Sequence, residues 1–296
     1  MTLQNYNNLS TERANSRTRG LDRLTPSGIV RLMNREDRRV LSAVAKAATP
    51  LAWAIRHMAG SMARGGRVFF VGAGTSGRLG VLEAAECPPT FSTKLSQVQA
   101  IMAGGKSAVF RSKEGAEDSE REAVSACRRA GVDRSDIVVG IAASGVTPFV
   151  RAALRFARGR KAETVLVTSN PRAPRVARTT IVLRTGPEVL AGSTRLKAAT
   201  ACKMALNILT TGTMVQLGKV YGNRMVDLQP KSRKLVERGV RLIRDLGRVP
   251  DVKARRLFAA SRGQVKTAIV MARLNCSRLE AGRRLQKAGG FLRAAL

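Results

Sequence analysis

Acidic residues, aromatics and histidine are all scarce in this chain. Its 296 residues hold 20 Asp and Glu against 53 Lys and Arg, a net charge of +33. Aromatics make up 4%, Trp53 is the single tryptophan and His57 the single histidine. One histidine cannot build a histidine-based metal cluster, and on a helix it reads as packing or surface. The four cysteines, Cys87, Cys127, Cys202 and Cys276, stand far apart with no C-x-x-C pair. That spacing argues against a metal site or a disulfide framework and suits a reducing compartment. The polar N-terminus has no apolar signal core, and no run approaches the roughly 18 apolar residues of a membrane span. The expectation is a soluble, cytoplasmic protein with no metal and no membrane contact.

Net charge this basic raises the question of a polyanionic partner. The cations form no block: residues 231–296 carry 18 Lys and Arg against four acids, a net of +14, and the other +19 is spread over the first 230 residues. No zinc spacing, aromatic RNA-binding pair or basic low-complexity tail accompanies them. Dispersed surface arginine is the better reading, so nucleic acid is not the expected partner.

Hydrophobic content of 44% is ordinary for a globular chain of this length. Residues 1–25 are polar and turn-rich, an arm. A helix should follow, with Ser27 as a candidate N-cap, and a longer one should cover 38–64 with a break near Thr49-Pro50. Strand signals then alternate with helical patterns: strands over 67–72, 97–103, 136–142, 163–168 and 180–184, helices over 76–87, 115–130 and 147–159, and a long apolar helix from Ser193 to Tyr221. Alternation of this kind predicts an α/β fold, a doubly wound parallel sheet in a three-layer αβα sandwich, with ligands at the carboxyl ends of the strands. Short helical patterns over 232–246, 251–260, 264–274 and 277–287 predict a small helical appendage. The expected division is 1–50 (arm and helix), 51–230 (α/β domain) and 231–296 (helical domain).

The stretch Arg67–Thr90 carries the first chemistry. The apolar run Val68–Val71 enters Gly72-Ala73-Gly74-Thr75-Ser76-Gly77 and a helix start, which turns backbone N–H groups toward a phosphate. The G-x-G-x-x-G spacing also fits a dinucleotide, but that fold places an acid at the end of the next strand. Residues 92–106 contain no acid, so no dinucleotide cofactor is expected. Thr75 and Ser76 suit a phosphate monoester instead. A second turn of the same design, Ser144-Gly145-Val146-Thr147-Pro148, follows the third strand, where helix capping would also explain Ser144 and Thr147. Glu86 is expected in the last turn of a helix stopped by Pro88-Pro89, where the negative end of the dipole would raise its pKa and suit it to a general acid. Glu83, one turn earlier, would be its solvated partner. Glu114, Glu117 and Asp118 open a later helix, and carboxylates in opposite settings can serve as acid and base.

The segments VGAGTSGRLGVLEAAECPPTF, EGAEDSE, VVGIAASGVTPFV, GPEVLAGSTRLKAATACKMALN and GKVYGNRMVD together resemble the N-acetylmuramic acid 6-phosphate etherase family, in order over essentially the whole chain, with TER-N near the start and VKTAIVM and GGFLR near the end. The resemblance implies a sugar isomerase (SIS) fold and cleavage of the lactyl ether of N-acetylmuramic acid 6-phosphate, giving N-acetylglucosamine 6-phosphate and D-lactate in cell-wall recycling. Elimination of lactate from C3 follows proton loss at C2, then water adds. It implies no metal or cofactor, a small sugar phosphate as ligand, and a homodimer with sites near the subunit interface. Glu86 would be the proton donor and Glu117 the second active-site carboxylate. Substrate contacts would fall to Gly74, Thr75, Ser76, Ser144, Gly145, Thr147 and Ser193, with charge from Lys197. The chain departs from the family's usual pattern at Val146 (commonly Arg), Ala199 (Gly) and Cys202 (Gln). A regulator of the same fold that binds sugar phosphate without turning it over is the competing reading.

Overall fold

A computed structural model of the chain describes residues 9–230 and 232–296; residues 1–8 of the expected arm and Lys231 lie outside them. The chain divides into two compact units, one of residues up to Ala84 with Ser96–Thr210, the other of Ala85–Leu95 with Thr211–Leu296.

The first unit is built on five parallel strands: β1 (Val68–Gly72), β2 (Val98–Met102), β3 (Ile137–Ile141), β4 (Glu163–Thr168) and β5 (Thr179–Val182), in the order β2-β1-β3-β4-β5. Every residue of β1 and β3 is buried, whereas β2 and β5 at the edges are only partly so. That difference is why the central strands are continuous apolar runs rather than alternating patterns. Alternate residues of β1 face opposite layers. Phe69 and Val71 join Val138, Phe149, Val150, Leu154 and Leu166 in one core, with helices α4 (Glu120–Arg129) and α5 (Pro148–Gly159) outside it. Phe70 faces α3 (Gly74–Phe91), so closely that a Cβ on Gly80 would come 2.9 Å from the Phe70 Cβ. At the amino ends of the strands Asp136, 1% exposed, accepts from the backbone N–H of Arg67 at 2.9 Å and from its guanidinium at 2.7 and 3.0 Å. This ties β1 to β3 at the end away from the ligand side.

Three expectations change before the strands begin. Helix α1 is Pro26–Ala45, capped by Thr25, whose Oγ1 accepts from Gly28 N at 3.2 Å; Pro26 takes the first helical position, where a proline costs nothing, so Ser27 lies inside the helix. The next helix, α2, is Ala48–Ala63, so the break falls at residues 46–47 and Thr49-Pro50 lies in its first turn. The expected arm is not a free arm where it is described. Leu9, Thr11, Asn15 and Thr18 are buried, with Asn15 Nδ2 donating to Pro187 O at 3.3 Å, Thr18 Oγ1 to Val189 O at 2.9 Å and Gly192 N to Thr11 O at 3.1 Å.

The second unit holds α7 (Arg233–Gly247), α8 (Asp251–Ala260), α9 (Val265–Leu274), α10 (Arg278–Lys287) and α11 (Leu292–Ala295). Its core joins Val226, Val240, Ile243, Ala254, Ile269, Val270, Ala281 and Leu292. Lys266 is buried there, donating to Gly218 O at 3.0 Å and Gly290 O at 2.7 Å beside Asp227 at 2.9 Å; burial pulls its pKa down. Helix α6 is Lys197–Gln216, shorter at both ends than the apolar pattern suggested.

Candidate active site

In a doubly wound sheet the ligand crevice lies where the strand order reverses. Here β1 has β2 on one side and β3 on the other, so the reversal falls between the turns that leave β1 and β3. A cavity of about 320 Å³ opens at that place. Gly74, Thr75 and Ser76 line it from the first turn, Ser144, Val146, Thr147 and Pro148 from the second, and Glu117 and Asp118 from the segment after β2.

Both turns end in helices of useful length. Thr75 and Ser76 occupy the first turn of α3, and Thr147 precedes Pro148 at the first position of α5. The first N–H groups of a helix have no partner within it, and two positive dipole ends converging on one hollow favour an anion. Thr147 makes no side-chain cap hydrogen bond, so capping does not account for its hydroxyl. Ser144 Oγ accepts from Val146 N at 3.3 Å, a local turn bond that leaves its O–H free to donate. The second turn is braced from β4: Thr168 Oγ1 donates to Ala143 O at 3.0 Å and Asn170 Nδ2 to Ser144 O at 2.8 Å.

The glycines shape the turns. Gly145 is buried and has φ +73°, and a Cβ there would lie 2.5 Å from the Ala173 Cβ; among the described residues it does not line the cavity. Gly72 and Gly77 approach so closely that a Cβ on either would meet the other's backbone at 2.7 Å, which lets α3 start directly above β1.

Glu117 is one of three carboxylates that line this hollow, with Glu12 and Asp118. Though the residue is exposed overall, partial burial of its carboxyl, then the charges of Asp118 and Glu114, raises its pKa above the usual range. Glu117 and Asp118 sit in a single 3-10 turn, Ala116–Asp118, and the α-helix proper begins later, at Glu120 under a Ser119 cap, so these acids do not open it.

Glu86 stands differently from the expectation. Helix α3 runs through Pro88 and Pro89 to Phe91, its end closed by Ser92 N donating to Pro88 O at 3.0 Å. Burial of Cys87 and Phe91 in the second unit holds that last turn despite the missing N–H groups. Glu86 is therefore exposed and a full turn short of the helix end, not in the last turn where the dipole's negative end lies. Glu83 is not solvated: 4% exposed, it accepts from Thr210 Oγ1 at 2.8 Å and pairs with Lys203.

Lys197 is not a ligand of the cavity. It is fully buried, its Nζ donating to Glu36 Oε2 at 2.7 Å and Pro187 O at 2.6 Å. Glu36 also accepts from Arg17 at 2.6 and 3.0 Å and from Asn15 at 2.8 Å, and the Arg17 bonds foremost hold its carboxyl far below the usual range. Glu188, 0% exposed, accepts from the N–H groups of Lys197 and Ala198 at 3.0 and 2.9 Å and so caps α6. The sequence reading placed Ser193 at the start of that helix; it lies in the preceding turn, and its neighbours Gly192 and Thr194 line the cavity instead. Leu9 and Glu12 also line it without having been expected there; Glu12 belongs to the TER-N pattern, whereas Leu9 lies before it. Among the described residues no Lys or Arg lines this hollow. Val146, the position where the resemblance implies an Arg, is 3% exposed. Cys202 is buried with its thiol pushed up to about 12, too high for a nucleophile at neutral pH. His57 stacks on Trp53 with ring centroids 3.7 Å apart, the packing role expected of it.

Residues 50–158 match the family described as the glucokinase regulatory protein N-terminal SIS domain. Over 290 residues the chain is 48% identical to an N-acetylmuramic acid 6-phosphate etherase of Geobacillus thermodenitrificans, covering 97% of this chain and 98% of that one. It is 47% identical to the etherase of a Synechocystis species, covering 99% and 97%, and 47% identical to that of Mycolicibacterium smegmatis, covering 97% of each. Identity at this level over almost the full length of each relative settles the matter of kinship: the chain belongs to the N-acetylmuramic acid 6-phosphate etherase family.

Proposed function

We propose that the protein is a carbon–oxygen lyase that removes the D-lactyl group of N-acetylmuramic acid 6-phosphate, leaving N-acetylglucosamine 6-phosphate. The observation that carries the reading is the convergence of Thr75, Ser76, Ser144 and Thr147 with Glu117 on one hollow at the strand-order reversal. The hydroxyls and the two helix starts hold the phosphate, and the sugar extends toward Glu117. In the open-chain sugar the C1 aldehyde acidifies the C2–H bond. A carboxylate takes that proton, the C3–O bond breaks, and the departing lactyl oxygen gains a proton. Water then adds at C3 and C2 is reprotonated.

A carboxylate whose pKa lies above the usual range is a stronger base than a solvated one, which suits Glu117 to removal of the C2 proton. The proton donor to the lactyl oxygen is Glu86, a role that rests on the resemblance alone. The chemistry calls for no metal or cofactor. We further read the protein as a cytoplasmic homodimer; among the described residues no helix is long and apolar enough to cross a membrane. The test is lactate release from N-acetylmuramic acid 6-phosphate by the wild type, Glu117→Gln and Glu86→Gln. Loss in both variants with fold retained is expected; full activity in Glu86→Gln would remove it as donor.

A further inference from the structure

The hollow that holds Glu117 has a neighbour. A side cavity of about 180 Å³ shares Ala73, Gly74 and Glu117 with it and runs beside the segment that follows β2. Met102, Ala103 and Ala108 give it an apolar wall, and Arg78, Ser112 and Lys113 give it a polar one. The two cations set it apart from the main cavity, which has none among the described residues.

Neither cation is neutralised by an ion pair among the described residues. Arg78 Nε donates to Val109 O at 2.8 Å and its Nη2 to Ala108 O at 3.0 Å, which fixes the guanidinium against the loop. Lys113 Nζ donates to Gly104 O at 3.1 Å. Carbonyl oxygens orient such groups but leave their charge in place, in contrast to Lys197 and Lys203, each paired with a buried glutamate. Glu114 and Glu117 also border the cavity and match its two cations in number, but among the described residues neither forms an ion pair with them, which leaves the Lys113 ammonium, held only by a carbonyl, open to a monocarboxylate. A three-carbon hydroxy acid has six heavy atoms, and the cavity offers about six times the roughly 30 Å³ that one water occupies in the liquid.

Resting on the function proposed above, we propose that this side cavity is the subsite for the lactyl group of the substrate, with Lys113 binding its carboxylate and Arg78 fixing the loop that presents Lys113. Glu117, on the wall common to both cavities, then stands where the sugar meets the ether it is to lose. The apolar wall takes the lactyl methyl group. Selection for the carboxylate thereby comes from residues separate from those that hold the phosphate.

Calorimetric titration in a Glu117→Gln background, which should bind without turnover, reads the two parts separately. N-acetylmuramic acid 6-phosphate should bind about tenfold or more tightly than N-acetylglucosamine 6-phosphate, which lacks the lactyl group, as expected for one charge-assisted contact. Adding Lys113→Met should abolish that preference while changing the affinity for N-acetylglucosamine 6-phosphate less than twofold, and Lys113→Arg should keep most of it. In the otherwise wild-type enzyme, Lys113→Met should turn over the substrate and its lactyl amide at similar kcat/KM. A preference that survives Lys113→Met, or an equal loss of both sugars, would overturn the subsite with the etherase reading intact. If neither sugar phosphate binds the folded protein, the proposed function fails and the subsite with it.

Discussion

Replacing Lys197 with Met separates a structural lysine from a substrate-binding one. Its ammonium, with no exposure of the residue, donates to Glu36 at 2.7 Å in a buried bond and to Pro187 O at 2.6 Å in a partly buried one. Removing one partner of a buried pair costs about 3–5 kcal/mol, because the other charge is left behind. Glu36 keeps Arg17 and Asn15, so the lower end, about 3 kcal/mol, applies. At roughly 2 °C per kcal/mol for a chain of this size, Tm should fall by about 6 °C. Differential scanning calorimetry gives that fall, and titration of the folded variant with N-acetylglucosamine 6-phosphate should give an unchanged Kd. An unchanged Tm with tenfold weaker binding would refute the structural assignment and return Lys197 to the site. Linkage points the same way: Glu36 has a depressed folded-state pKa, so its contribution is complete above the ordinary carboxylate range and is lost only as pH falls through the lower, folded value.

Four other outcomes follow from the same geometry. Thr75→Val and Ser144→Ala should each weaken sugar-phosphate binding by about tenfold, measured by calorimetry, through loss of one charge-assisted hydrogen bond. Gly145→Ala should destabilise by about 2–4 kcal/mol in chemical denaturation, from its left-handed φ of +73° and the 2.5 Å approach to Ala173, and should disorder the second turn. Glu114→Gln with Asp118→Asn removes two charges that raise the Glu117 pKa, so the acid limb of kcat/KM should move to lower pH, since the base must be ionised to act. Duplex DNA should not be retained in filter binding at physiological salt; steep, salt-dependent retention would show that the basic surface has a polyanionic partner.

The centre of the sheet was legible because its strands are short runs rich in β-branched or aromatic residues between turn signals; Val68–Gly72 and Ile137–Ile141 fall within a residue of their expected limits. The two turns that line the cavity were legible because their glycine and hydroxyl residues stand next to each other in sequence. What escaped was set by distance along the chain. Lys197 is 161 residues from Glu36, and nothing local distinguishes a lysine about to be buried from one facing a ligand. Glu83 meets Thr210 across 127 residues, which hid its burial in the same way. The end of α3 was misplaced because Pro88-Pro89 is a strong local stop signal that packing of Cys87 and Phe91 overrides. The pKa of Glu117 is raised by partial burial first and then by the charges of Asp118 and Glu114, a crowding that the short EGAED run alone did not reveal.

Elimination and hydration driven from the hollow that holds Glu117 would leave isotopic marks on both products when the reaction is run in deuterium oxide and in heavy-oxygen water. The expected products are D-lactate with unlabelled ether oxygen and N-acetylglucosamine 6-phosphate carrying deuterium at C2 and heavy oxygen at C3, with Glu117→Gln slower by about 10²–10⁴-fold. Lactate that carries the heavy oxygen, a product without deuterium at C2, or full activity in Glu117→Gln would contradict this chemistry.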